Sequence, residues 1–434
     1  MARTKSIGIR GHLTSLISSR TLNELARYSG LVQRRRKVSP TALFWTIVLG
    51  FGAGREKSLA GLRRMYQKSA GARLVPSAFY DRFTRALAHF FRLVVEELLG
   101  KLETREGRLK GVLGTFRDVI LTDSTLVRLH DLLEKNFPAC RTNHTRASAK
   151  LHVVMSVSGR GPRSVKVTAG RQHDGPVFQV GRWVKDRLLI FDLGYFRYQL
   201  FDCIDRNGGY FISRLKDNAN PLITAVHAPC SGLQVVGKRL KEVIGRLRRD
   251  EMDVTVKVDF RRRAYAGVRR GAEGTLRLVG IKNPQTGRYH LYVTNIPPER
   301  LSANEVALVY GSRWQIELLF KEMKSHYRLE DMPSRKKHIV EVLLFASVVT
   351  LLASRRLLEA VRMKLHDARG SIPEGRWAAV FASVASQILD LLLAPASVAV
   401  AMARWVEPML IHEAVDPNIS RHLLMARVQN GSAR

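Results

Sequence analysis

The chain has 434 residues, 45% hydrophobic and 25% charged, which is ordinary for a folded protein with a sizeable core. Its charge is not ordinary: 72 Lys and Arg against 37 Asp and Glu give a formal net charge of +35 at pH 7. A positive field of that size repels itself unless a polyanion neutralises it, so nucleic acid is the expected partner, ahead of a membrane surface.

From Met1 to Arg64 there are thirteen Lys or Arg and two Glu, including the run Arg34-Arg35-Arg36-Lys37. The first ten residues lack the apolar core of a secretory signal. Ser39-Pro40 reads as a capping hydroxyl followed by proline at the first helical position, opening a helix over Ala42–Phe51 that Gly52 and Gly54 end. Ser58 caps a basic helix over Leu59–Lys68. Pro76-Ser77 opens a long amphipathic helix, Ala78–Leu99, with Phe79, Phe83, Leu87, Phe90, Val94 and Leu98 at apolar positions. Residues 1–115 are expected to form a helical, basic DNA-binding domain. A helical packing cap with a solvated face stays open beside it, because no helix-turn-helix pattern stands out.

At Val119 the pattern changes. Val119–Thr125, Leu151–Val157, Ser164–Thr168, Leu188–Asp192 and Tyr210–Arg214 read as strands, with helical character over Phe178–Val184 and up to Ile204. Such interleaving indicates an α/β domain. Residues 215–296 are richer in strand signals: Val254–Phe260 alternates, and Leu276–Ile281 and Tyr289–Thr294 flank an Asn283–Gly287 turn. Ser302 can cap a helix over Ala303–Tyr310. The C-terminal part is again helical. Val342–Ala353 is too short to span a bilayer and Leu389–Met402 carries Asp390 and Pro395, so both are expected as buried helices and no membrane association is expected. Cys140, Cys203 and Cys230 are widely spaced and form no C-x-x-C pair, which excludes a disulfide framework or a zinc knuckle by spacing and fits a reducing cytosol.

Asp123 and Asp192 each follow an apolar strand, where an unpaired carboxylate is expensive to bury. Either alone reads better as a strand-end turn or a helix cap. Asp118 and Asp202 read as structural, Asp174 as a cap for the helix after it, and His144 and His173 as ordinary hydrogen-bonding histidines. The stretch Tyr310–Lys324 places Tyr310, Arg313, Glu317 and Lys324 at spacings of three, four and seven. On an α-helix these four side chains fall within about 60° of one another. Trp314, Ile316, Leu318, Leu319, Phe320 and Met323 point elsewhere, so the helix is expected to be largely buried with Trp314 in the core and the polar stripe lining a cleft. Two ion pairs on a solvated face are the other reading of the stripe. Taken together, Asp123, Asp192 and Glu317 supply three carboxylates from two strands and a helix. Such a set can hold two Mg²⁺ ions about 4 Å apart for phosphoryl transfer, with Arg313 and Lys324 on the phosphates.

The four residues satisfy the pattern Tyr-x2-Arg-x3-Glu-x6-Lys, and with Leu121-Thr122-Asp123-Ser124-Thr125 and Phe191-Asp192-Leu193-Gly194-Tyr195-Phe196 the chain resembles DDE transposases of the insertion-sequence-four family. The resemblance implies an α/β fold with a ribonuclease H-like catalytic core, residues 116–214 and 297–340, interrupted by a β-rich insertion, 215–296. Helical regions, 1–115 and 341–434, flank it. It implies Asp123, Asp192 and Glu317 as the catalytic, metal-binding triad for two Mg²⁺ ions, with Mn²⁺ able to substitute. Tyr310, Arg313 and Lys324 become DNA contacts, and Arg214, Arg261, Arg262 and Arg263 on the basic insertion are further expected ones. The implied partners are double-stranded transposon ends and target DNA, gripped by a homodimer in the bacterial cytoplasm at the nucleoid. Members that release ends through a hairpin use an aromatic, often Trp, on the strand before the signature; this chain offers Tyr289, His290 and Tyr292 there. The implied reaction is Mg²⁺-dependent cleavage at the terminal inverted repeats and strand transfer, in cut-and-paste transposition. A nuclease without strand transfer and a non-catalytic DNA-binding derivative are the alternatives.

Overall fold

The computed structural model describes residues 7–34, 38–103, 107–140, 145–159, 161–228, 233–261, 271–330, 332–365 and 372–415. Of the residues singled out above, Arg35, Arg36, Lys37, His144, Cys230, Arg262 and Arg263 lie outside the described residues. The chain divides into two compact units, Leu102–Leu126 with Lys150–Leu318, and Met1–Lys101 with Val127–Ala149 and Leu319–Arg434.

The first unit is built on one nine-stranded sheet. Its strands are β1 (Asp118–Arg128), β2 (Ser148–Ser156), β3 (Gly161–Ala169), β4 (Arg187–Phe191), β5 (Tyr210–Arg214), β6 (Leu222–Val226), β7 (Glu251–Arg261), β8 (Gly271–Lys282) and β9 (Tyr289–Thr294). They lie in the order β3-β2-β1-β4-β5-β9-β8-β7-β6. β1, β4 and β5 pair in parallel, while β5-β9-β8-β7-β6 pair antiparallel. The sequence explains the contrast. Val119-Ile120-Leu121 and Leu188-Leu189-Ile190-Phe191 are unbroken apolar runs, buried on both faces as central parallel strands must be. β7 alternates instead, burying Met252, Val254, Val256 and Val258. The helix Tyr198–Arg206 closes over this sheet, with Phe201 stacked on Phe211 of β5 at 4.3 Å between ring centroids. Across β7 and β8, Arg277 and Asp253 form a buried bidentate ion pair at 2.8 and 2.6 Å, and Arg277 also donates to the carbonyls of Ile296 and Leu301. Asp118, fully buried, is satisfied within the sheet by Val119 N, Ser156 Oγ and Ser158 N, so it has a structural use.

Two local expectations fail here. Phe178–Val184 is not a helix: only the turn Arg182–Val184 forms, after an extended Gly181, because Phe178 is drawn into the core against Phe191 and Tyr195. β6 is an additional strand. Most of its side chains are exposed at the sheet edge, so it lacks a clean apolar period.

The second unit is helical. Ser39 and Ser58 cap their helices as expected, the latter accepting from Gly61 N at 3.0 Å. The first helix passes into a π-helical turn, Ile47–Gly52, against the long helix Lys337–Lys364. A Cβ at Gly52 would sit 1.9 Å from Thr350 Oγ1, whose hydroxyl bonds Val48 O at 2.9 Å, so glycine permits this approach. Lys337–Lys364 has 28 residues and the hydropathy of a membrane span, yet 83% of its most apolar window is buried within the protein, as in a core helix. The expected helix Ala78–Leu99 is interrupted: Pro76–Tyr80 stops and a new helix starts at Arg85. The expected helix Leu389–Met402 is likewise two helices, parted at Ala394-Pro395, and Val398 and Val400 of the second are exposed, not buried.

Candidate active site

The register of β1 against β4 runs to Thr122 opposite Phe191, so the next residue on each strand, Asp123 and Asp192, comes side by side on neighbouring parallel strands. β1 itself continues to Arg128; what ends beside Asp123 is its pairing with β4. Burial pushes the Asp123 carboxyl up from 3.8 to about 6, and the charges of Asp192 and Asp174 push the same way. The Ser124 backbone N–H, donating at 2.7 Å, and the Arg313 charge oppose this. Asp192 opens the turn Leu193–Tyr195. Burial raises the Tyr195 phenol far above its usual range, and its hydroxyl bonds the Thr122 side chain.

Opposite this pair stands the signature stretch, which is not one helix. The helix Ala303–Gly311 is fixed at its start by a reciprocal bond between Ser302 and Glu305 and ends before Arg313. A second helix, Trp314–His326, follows. Tyr310 thus belongs to the first helix, Arg313 to the junction and Glu317 to the second. Arg313 Nη2 grips Glu317 Oε1 at 2.6 Å and lies within electrostatic reach of Asp192 and Asp123. The Tyr310 ring is 6.0 Å from the Arg313 guanidinium and 5.0 Å from the Tyr292 ring. Its hydroxyl is buried without a hydrogen-bond partner among the described residues, and burial pushes its pKa up to about 12. Arg214, opposite Tyr292 in the register of β5 and β9, acts on both tyrosines.

Asp123, Asp192, Arg214, Tyr292, Tyr310 and Arg313 are therefore linked by charge and ring contacts, and Glu317 joins them through Arg313 alone. Other expected members are not. Lys324 lies further along the second helix and pairs with Glu330 at 2.9 Å. Tyr289 donates its hydroxyl to Arg249 O, and Arg261 is exposed at the end of β7. Trp314 is 59% exposed rather than in the core, because the break leaves it in the first turn of a new helix, with Leu318 exposed one turn on.

Asp174 carries a role that the helix-cap expectation missed. Its side chain caps nothing; Oδ1 accepts from Ser124 Oγ at 2.7 Å and lies 3.3 Å from Lys150 Nζ and 3.4 Å from His152 Nδ1. The segment is pinned by Arg197, which donates to Gly175 O at 2.7 Å. Asp123, Ser124 and Asp174 form one chain of contacts, closed by a contact between residues fifty apart, which no local pattern announces.

Among the described residues no three His, Cys, Asp or Glu side chains converge closely enough to hold a metal ion. The donors nonetheless suit a hard divalent cation in kind: two adjacent carboxylates whose mutual repulsion helps to raise Asp123 toward neutrality, a condition that bound positive charge relieves. Glu317 is instead engaged by Arg313.

The family described as transposase DDE domain matches residues 114–353, which take in this whole cluster. The chain belongs to that family. It is thus an enzyme of DNA phosphoryl transfer, with DNA as its partner. Similar proteins include the transposase for insertion sequence element IS231F of Bacillus thuringiensis subsp. israelensis, 22% identical over 83% of this chain and 82% of that protein. The transposase for insertion sequence element IS1151 of Clostridium perfringens is 21% identical over 78% of this chain and 77% of its own length. Among solved structures, the piggyBac transposase synaptic complex with hairpin DNA aligns with a TM-score of 0.49 and 9% identity, over 96% of this chain and 87% of that one.

Proposed function

We propose that this transposase cuts DNA at the terminal inverted repeats of its own element and joins the freed 3′-hydroxyls to target DNA. The observation that carries the reading is the juxtaposition of Asp123 and Asp192 on β1 and β4, within electrostatic reach of Arg313, which in turn holds Glu317. In this reading the core is ribonuclease H-like and Asp123, Asp192 and Glu317 hold Mg²⁺. Bound there, the metal would supply a lowered pKa for the attacking hydroxyl and charge neutralisation at the phosphorus. Arg313, drawn from Glu317, meets a phosphate oxygen with its planar fork, a bidentate contact that lysine cannot reproduce. Tyr310 gives its unpartnered hydroxyl to the DNA backbone, and Arg214 adds charge alongside. Lys324 is assigned a backbone contact beyond the cleft. The N-terminal helical region serves end recognition and residues 215–296 act as a basic insertion. Two protomers pair the ends, in the bacterial cytoplasm. The direct test is to incubate the protein with DNA carrying the element's ends, with and without Mg²⁺, and map the nicks. Cleavage at the termini only with metal supports the reading, and none under either condition removes it.

Two substitutions probe separate parts of the cluster. Tyr310→Phe removes a buried hydroxyl that has no partner, so the melting temperature should hold or rise slightly. End cleavage should nevertheless fall about tenfold, the worth of one hydrogen bond to a charged phosphate. A parallel loss of stability and activity would assign Tyr310 to packing. Ser124→Ala and Asp174→Ala should each reduce cleavage about tenfold, and the double variant should be no worse than the poorer single one, since both break the same contact. Additive losses would separate Asp174 from Asp123.

A further inference from the structure

A groove of about 600 Å³ lies between the turn after β4, the segment after β5 and the end of β7, and the catalytic reading leaves it without a use. Its wall carries a continuous aromatic strip. The rings of Phe196 and Tyr198 are 5.1 Å apart, and those of Tyr198 and Phe260 6.3 Å apart. Tyr198 and Phe260 are only half-buried, so ring surface faces the groove. Cations surround the strip. Lys216 holds its ammonium 5.5 Å over the Phe196 ring, and Arg239 and Arg261 are exposed along the same groove. Among the lining residues Asp259 is the one carboxylate.

Cationic side chains suit the phosphates of any DNA, but half-buried rings lining a groove do not. In a duplex the bases are stacked inward and offer nothing to an aromatic wall, whereas a single strand presents both a phosphate backbone and free base faces. The groove's position agrees: Phe196 stands four residues after Asp192, and Lys216 two residues after Arg214. We infer that this groove binds a single strand of DNA leaving the paired aspartates, gripped through phosphates by Lys216 and Arg239 and stacked through bases on Tyr198 and Phe260. This rests on the proposed DNA-cutting function, which is what would generate such a strand.

The test is fluorescence anisotropy with the full chain in the absence of metal, using labelled oligothymidylate and a labelled duplex of the element's end. The Lys216→Ala/Arg239→Ala double variant should bind oligothymidylate at least tenfold more weakly. Its salt dependence should be shallower by about 1.4 in log–log slope, the effect of two lost single-strand phosphate contacts. Tyr198→Leu should lose about tenfold without a change of slope, and Tyr198→Phe should restore binding. Duplex binding should stay within about twofold throughout. Equal losses on duplex and single strand would make the groove part of a duplex track and overturn the inference, as would unchanged single-strand binding. Because no step requires catalysis, the result stands apart from the cleavage test. Protein that binds oligothymidylate as described yet never cuts ends would sink the catalytic reading alone.

Discussion

Asp192→Asn is expected to abolish end cleavage, by about a thousandfold or more, with little change to the fold. The carboxylate is half-buried beside Asp123 and takes no part in packing the apolar sheet, so its amide fits the same space. On the proposed reading, what is lost is a metal ligand whose bound cation would be worth about 4 kcal/mol at the transition state. A second readout separates this from a folding defect. In the folded protein Asp123 has its pKa raised to about 6 from 3.8, in part by the Asp192 charge. A raised acid contributes stability that is complete below its unfolded pKa and is lost as pH rises through its folded one. The metal-free wild type should therefore gain melting temperature as pH is lowered from 7 toward 5, and Asp192→Asn should show a smaller gain. Mn²⁺ affinity should fall over the same interval, as protons compete for Asp123. Full cleavage by Asp192→Asn, or a pH response equal to the wild type's, would remove Asp192 from the site.

The largest stability effect is expected away from that cluster. Arg277→Met strands the Asp253 carboxylate, almost wholly buried, and frees the carbonyls of Ile296 and Leu301. Leaving one member of a buried ion pair alone costs about 3–5 kcal/mol. That corresponds to a drop on the order of 10 °C in melting temperature. Adding Asp253→Leu should recover much of the loss, because two apolar side chains replace a desolvated pair without an orphan charge. Failure of that rescue would mean that the carbonyl bonds, not the pair, dominate. The consequence reaches function, since Ile296 and Leu301 lead into the helix that carries Tyr310. Limited proteolysis of Arg277→Met should cut first between β9 and that helix.

What the sequence disclosed follows from the range of each interaction. The side-by-side placement of Asp123 and Asp192 is legible because each follows a continuous apolar run, and parallel pairing aligns such ends. Arg313 and Glu317 were legible because an i,i+4 pair survives wherever the second helix begins. The helix break itself is not, since the junction residues Gly311 and Ser312 are compatible with an unbroken turn, and so Trp314, expected in the core, lies exposed. Lys324 matched the same periodicity, yet its partner, Glu330, lies beyond the helix end, where wheel geometry no longer applies. Asp174 was misjudged for a different reason: its partners Ser124, Lys150 and His152 come from two other strands. The β-rich strands were readable except β6, where exposure at a sheet edge removes the apolar signal.

The contact between Arg313 and Glu317 has a consequence for control. A guanidinium that passes from a carboxylate to a phosphate ties two events into one, since each departure makes the other ligand easier to accommodate. On the proposed reading, DNA that attracts Arg313 would free Glu317 for a cation, and a cation that attracts Glu317 would free Arg313 for DNA. By thermodynamic reciprocity each must tighten the other by the same factor. On the proposed reading the protein would rest with Arg313 and Glu317 paired and would answer to metal and DNA together.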